Sequence, residues 1–302
     1  MSAKDNQLWF DDIPVLAKLP RGEAAAKLRE MGDTETAELL ERKGIMAPRG
    51  LPRPWQHTSH AFGHIPLLDL NSTQPVDITH AGSMPPDDRL KGSRIKIVLN
   101  QLRVANYPGK GVHHILFDFY AQNQIRHRVE RLHFNQTYRA QQGQQVGIIG
   151  YPIFIGLSVG SEGVSFKCHT VNVKNDNDEA ILNVLDSDIM RGGLKLATTA
   201  QPAIAPLADL ALGLTKMIAS RHKNVSVQDF YMGLDFEKVP GGARLAEGAY
   251  VAVQIPETDE VGWNWREWVY DPNSGRIVDR KDRKSLIPYN YIVIGVSKYE
   301  GD

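Results

Sequence analysis

Between Ile95 and Val173 strand-like segments follow one another with no helical pattern between them, and this stretch constrains the fold more than any other part of the chain. Ile115, Phe117, Phe119 and Ala121 alternate with Leu116, Asp118, Tyr120 and Gln122. A period of two sends one set to a core and the more polar set outward. Pro108-Gly109-Lys110-Gly111 and Gly160-Ser161-Glu162-Gly163 supply turns where a chain of hairpins needs them. Ile95, Ile97 and Leu99 share one parity while Leu102 and Val104 share the other, so a bulge is expected near Asn100. The run from Val146 to Val159 is apolar at both parities, the pattern of a central strand covered on both faces.

The flanking regions read differently. Gly22 to Met31 is rich in alanine and ends near Gly32; Asp33 or Thr34 caps a second short helix that stops by Gly44. Together they make an αα-hairpin too small to fold alone, so it must dock on the rest of the chain or on a partner. Ala47 to Pro54 is a stiff linker, and Asn71 to Gly92 is an irregular tract expected to wrap the surface or meet another chain. Asp178 opens an expected helix near 178–191, and Pro206 opens another near 206–223. Strand patterns return at Val225–Phe236, Ala249–Ile255, Trp265–Tyr270 and Ile287–Ser297, and Asp271-Pro272-Asn273-Ser274-Gly275 marks a hairpin between Trp268-Val269-Tyr270 and Arg276-Ile277-Val278.

The predicted fold class is mainly β: an antiparallel β-sandwich, Greek-key or C2/jelly-roll-like, with two inserted helices and an N-terminal helical hairpin. Three parts are expected. Residues 1–65 hold the helical hairpin and Pro-rich linker, 66–93 an irregular connection, and 94–302 the sandwich with its inserted helices.

Lysine plus arginine balance aspartate plus glutamate at 35 each, so no global field draws nucleic acid or an anionic membrane. The single cysteine, Cys168, rules out an intramolecular disulfide. Residues 1–10 lack the apolar run of a secretory signal, and no stretch approaches the ~18 apolar residues of a membrane helix. A soluble, cytoplasmic protein is the expectation.

Motifs with chemical content are few. On a helix, His57, His60 and His64 would share a face and could ligate zinc, but Gly63 and the bracketing prolines Pro54 and Pro66 favour an extended segment anchored by Trp55. Asn175-Asp176-Asn177-Asp178-Glu179 reads either as a set of oxygen ligands for calcium or as a strand-to-helix turn capped by Asp178. Arg126, Arg128 and Arg131, in a basic tract with Phe134 and Tyr138, suit an anion or nucleic acid, or the guarding of a sheet edge. Trp263, Trp265 and Trp268 form an aromatic cluster for a partner or for the core. Cys168 and His169 point to opposite faces of a strand and cannot act together as nucleophile and base. Gly109-Lys110-Gly111 is too short for a phosphate loop.

These residues point first to a non-catalytic binding or assembly protein that uses its scaffold and docking N-terminal segment for protein–protein contact or self-association. A metal-dependent hydrolase built on His57, His60 and His64 is one alternative. The other is a membrane-acting module using the uncharged stretch from Gln141 to Ser161, or an anionic-ligand-binding module using Arg126, Arg128 and Arg131. The sequence carries no strong nucleic-acid signal, no transmembrane segment and no cofactor motif.

Overall fold

The computed structural model describes residues 13–42, 53–68, 73–125, 128–143, 145–175, 178, 194–196, 204–238, 242–259 and 262–301. The fold is mainly β, and among the described residues it has three sheets, none closed into a barrel. In chain order the first strands are β1 (Ser59–Pro66), β2 (Val76–Asp77), β3 (Thr79–His80), β4 (Arg94–Arg103) and β5 (Val112–Ile125). The next are β6 (Arg128–Gln141), β7 (Gln145–Ser158), β8 (Gly163–Val173), β9 (Leu194–Lys195) and β10 (Val225–Asp235). The last are β11 (Ala243–Arg244), β12 (Gly248–Ile255), β13 (Trp268–Asp271), β14 (Arg276–Asp279) and β15 (Tyr291–Lys298). Helices α1 (Arg21–Glu30), α2 (Thr34–Glu41) and α3 (Ile204–Ser220) complete the described elements.

A seven-stranded sheet runs β3-β1-β12-β15-β4-β7-β9, a five-stranded sheet β11-β10-β8-β5-β6, and a small sheet β14-β13-β2. Pairing is antiparallel except for the two-residue strands β9 on β7 and β11 on β10. Ile95, Ile97 and Leu99 of β4 share one buried cluster with Phe117 and Phe119 of β5 and Phe166 and Cys168 of β8. This is the alternating set read from the sequence. Each such side chain contributes on the order of 1.5–3 kcal/mol on burial.

The N-terminal hairpin docks on this core. Ala24, Ala25 and Leu28 of α1 and Ala37 of α2 belong to the same cluster. Gly32, at φ +79°, ends α1, and the Asp33 side chain accepts from Thr36 N to start α2. Trp55 is buried in a short 3-10 turn and donates from Nε1 to Asn106 Oδ1 at 2.7 Å.

The bulge expected near Asn100 is present: the register of β4 against both β15 and β7 shifts between Leu99 and Gln101. Other expectations need correction. Among the described residues β7 lies next to the end of its sheet, because beyond β4 its second neighbour is β9, paired there over Phe154 and Ile155. Its mixed parity comes instead from three register shifts against β4, which turn Ile153, Phe154 and Leu157 alike into the main core. Residues 59–65, read as part of the N-terminal segment, form β1 together with Pro66 and pair along their whole length with β12. The tract 73–92 wraps the surface and lends β2 and β3 to two different sheets. The strand read at Trp265–Tyr270 begins at Trp268, because Asn264 accepts from Arg266 N and closes a 3-10 turn over Trp265–Glu267. The helix expected over 178–191 lies outside the described residues beyond Asp178.

The outer faces of the two large sheets are covered differently. Over the seven-stranded sheet, Ile65, Val251, Val253, Tyr291 and Val293 form a second core with Trp265, Ile277 and Ile287 beneath the small sheet. Over the five-stranded sheet lies α3, tied down by polar contacts. Thr215 Oγ1 donates to the fully buried Asp118 at 2.7 Å and accepts from Asn135 Nδ2 at 3.0 Å, while His133 Nδ1 lies 2.8 Å from the other Asp118 oxygen. Asp118 therefore keeps both oxygens engaged, as a buried carboxylate must.

Gly63 sits where β1 passes beneath the Trp265 ring. A Cβ there would lie 2.7 Å from Ile78 Cγ2 and 2.8 Å from Trp265. We expect Gly63→Ala to destabilise the fold by about 1–3 kcal/mol through overpacking. Urea titration of both proteins checks this, and an unchanged midpoint would refute close packing of Trp265 on β1.

Candidate functional site

The three histidines do not converge. His57 Nδ1 lies 3.0 Å from Glu257 Oε2 on the surface. His60 and His64 share one face of β1, where four residues at strand rise separate them by about 13 Å, far beyond the reach of one zinc ion. His60 packs on Phe230 and donates from Nδ1 to Thr58 O; His64 packs on Tyr250 and donates from Nε2 to Glu247 O. The one-face helix that zinc binding required is a strand. Among the described residues no three His, Cys, Asp or Glu side chains are grouped to hold a metal.

The other candidates fall as follows. Arg126 lies outside the described residues, Arg128 opens β6, and Arg131 is exposed on β6, which is an edge strand. Of the aromatic cluster, Trp265 is core, while Trp263 and Trp268 stack at 6.2 Å beside Tyr289, partly buried against the second core. Asp178 turns inward to Arg221 and Asn224, so its carboxylate is already engaged. No described helix is long and apolar enough to cross a membrane.

The site that the sequence did not disclose is an open cavity of about 660 Å³ at the rim of the small sheet. Ile65 and Pro66 at the end of β1, Leu67 and Leu68 beyond it, and Val293 of β15 form its apolar wall. The β13–β14 hairpin supplies Tyr270, Ser274 and Arg276. The bulge of β4 supplies Asn100 and Gln101, and Gln101 Nε2 donates to Gly275 O at 2.5 Å, fixing the hairpin tip against the sheet. Two residues further along β4, Arg103 donates to Ile287 O and Gly143 O. Burial first, and then the nearby Arg276 charge, pull its guanidinium below the usual range.

Two features set the chemical character of this cavity. Leu67 keeps 67% of its surface in water at the rim. Arg276 is exposed and has no carboxylate partner among the described residues. Apolar walls with a few convergent polar groups are the ordinary composition of a ligand pocket. Electrostatically it favours an anion at the Arg276 end and hydrocarbon at the Leu67 end. Nothing local in the sequence marks it, because Ile65, Gln101 and Arg276 meet only through sheet pairing.

Comparison with protein-family models, curated proteins and solved structures finds no match to this chain.

The histidines instead make the fold acid-sensitive. Burial pushes His60, His64 and His113 down to about 4 from an ordinary 6.5. In the unfolded chain they take up protons as pH falls through 6.5, whereas in the folded chain they resist until about 4. Stability is therefore complete above that window and falls across it, by up to about 1.4 kcal/mol per pH unit for each histidine. Glu257, held at about 2 despite burial by the Thr58 N–H and its other partners, adds a further loss below its ordinary value. We expect the melting temperature to fall steadily from pH 7 to pH 4.5. A flat profile in calorimetry over that range would contradict burial of these three imidazoles as neutral groups.

Proposed function

We propose that this protein is a binding and assembly protein: a two-layer β-sandwich whose rim pocket takes an apolar segment of a protein partner that carries an acidic group. The observation that carries the reading is the cavity itself, with Leu67 left largely in water at one end and, at the other, Arg276 with no carboxylate partner among the described residues. An open cavity with apolar walls and a few convergent polar groups has the composition of a ligand or partner pocket. The formal charge balance of 35 against 35 also leaves little repulsion between copies, which favours assembly.

The alternatives receive less support. A zinc hydrolase needs histidines that lie together, and about 13 Å separates two of them along a strand. A membrane-inserting hairpin needs β7 to be released, yet β7 is paired with β4 from Gln145 to Ser158.

The dye 8-anilinonaphthalene-1-sulfonate, apolar with one anionic group, is a suitable probe of the pocket. We expect saturable binding to the full chain, weakened about tenfold by Arg276→Glu and by Leu67→Asp, a loss of roughly 1.4 kcal/mol. Displacement by apolar peptides bearing an acidic residue supports a protein partner. Displacement by dodecanoate alone transfers the site to a small amphiphile and overturns the assembly reading. Absence of saturable binding overturns the site altogether.

A further inference from the structure

Strand β10 carries one irregularity, and it falls between Ser226 and Gln228. In a regular strand Ser226 and Asp229 would point to opposite faces, since their spacing is odd. The extra residue at Val227 restores them to the same face, opposite Val171 and His169 of β8. That face is the outer one, away from the cluster holding Cys168, Val227 and Phe230.

On it three groups fall in order. His169 Nε2 lies 3.0 Å from Ser226 Oγ. His169 Nδ1 lies 3.7 Å from Asp229 Oδ1, an ion-pair distance that must tighten to become a hydrogen bond, as catalytic contacts commonly do when substrate arrives. Hydroxyl, imidazole and carboxylate thus stand in the sequence nucleophile, base and orienting group. Lys167 Nζ at 3.2 Å and Lys18 Nζ at 3.8 Å also face the Asp229 carboxylate. Burial pushes that carboxyl upward, but His169 and Lys167 outweigh it and hold it below its usual range, so it is an anion at neutral pH.

Ser226 is 3% exposed and His169 fully buried, but Ser226 lies on the wall of a cavity. That cavity, open and of about 510 Å³, lies between the N-terminal segment, with Ile13 and Leu19, and the end of α3, with Lys216 and Met217. Lys27 on the same wall is paired with Glu30 at 3.0 Å. The cavity offers apolar surface for an acyl chain, and the Lys216 ammonium stands on its wall. It belongs to the opposite sheet from the rim pocket, and neither site depends on the other.

We propose that this cavity is an esterase site for short, anionic acyl esters, with Ser226 and His169 as catalytic residues and Asp229 as the positioning residue. Ser226 Oγ attacks the ester carbonyl carbon while its proton passes to His169 Nε2. The tetrahedral adduct collapses, breaking the carbon–oxygen bond to the leaving alkoxide, which takes that proton and departs as alcohol. Water then gives a proton to Nε2 as its oxygen attacks the acyl-serine. Release of the carboxylic acid returns the proton to Oγ, so ester plus water becomes acid plus alcohol. The imidazole can act in this way only with its Nδ1 proton directed at Asp229.

The test uses the folded full-length chain and an alkyl fluorophosphonate, with the adduct located by peptide mass mapping. One adduct, at Ser226, is expected, and Ser226→Ala should carry none. Asp229→Asn should label at least about tenfold more slowly, and Asp229→Glu should recover part of the rate, which a purely structural role would not produce. Hydrolysis of p-nitrophenyl succinate should follow the same order. Folded wild-type protein that takes no adduct at Ser226, or labels equally fast with Asp229→Asn, overturns the proposal.

Discussion

An extended chain has only two faces, and every residue added to or removed from a ladder exchanges them. That constraint governs this protein more than any single contact. Along β4 the core side is held by Ile95, Ile97 and Leu99 and, after the bulge at Asn100, by Leu102 and Val104. The same bulge turns Gln101 and Arg103 outward, where one holds the hairpin tip through Gly275 O and the other bonds Ile287 O and Gly143 O. The irregularity in β10 does the corresponding thing on the other large sheet, giving Val227 to the core and leaving Ser226 and Asp229 on one outer face.

Outward-turned polar residues become a liability once something covers them. On the five-stranded sheet the cover is α3, and Asp118 beneath it is fully buried. Its cost is met by Thr215 from the helix and His133 from the neighbouring strand, so the contact that neutralises the desolvation penalty also fixes where the helix sits. Asp229 has a different solution. It stays at the edge of the cover, its side chain 12% exposed, among two lysines and a histidine. A carboxylate in that setting keeps its charge and remains near solvent.

Much of this was legible where the signal is local. Gly32 and the Asp33 cap delimit α1 and α2, Asp271 to Gly275 marks the β13–β14 hairpin, and the parity change across Asn100 marks a bulge. The β10 bulge leaves the same trace. Val225 and Val227 are apolar at odd positions and Phe230, Met232 and Leu234 at even ones, so the exchange of faces was present in the pattern. What no local pattern carries is which strand lies alongside. His169 and Asp229 are 60 positions apart and become cross-strand partners only through the order β10-β8-β5. The segment that holds His60 and His64 was legible for a local reason: Gly63 and the bracketing Pro54 and Pro66 argue against a shared helical face, and pairing with β12 holds the segment extended.

The rim pocket has its own geometric cause. Strands β13 and β14 are four residues long, about 13 Å, whereas β1, β12 and β15 beneath them are eight residues long. A cover that short shields Val251, Val253 and Tyr291 but leaves the far end of β1 and β12 beyond its edge. There the close approach of Gly248 to Ile65 O, which leaves a Cβ only 2.4 Å of room, keeps the floor flat and free of side chain. The cavity is therefore a consequence of unequal layers rather than of a packing fault within either one. Lengthening the hairpin would close it, and a chain selected only for stability gains apolar burial by doing so.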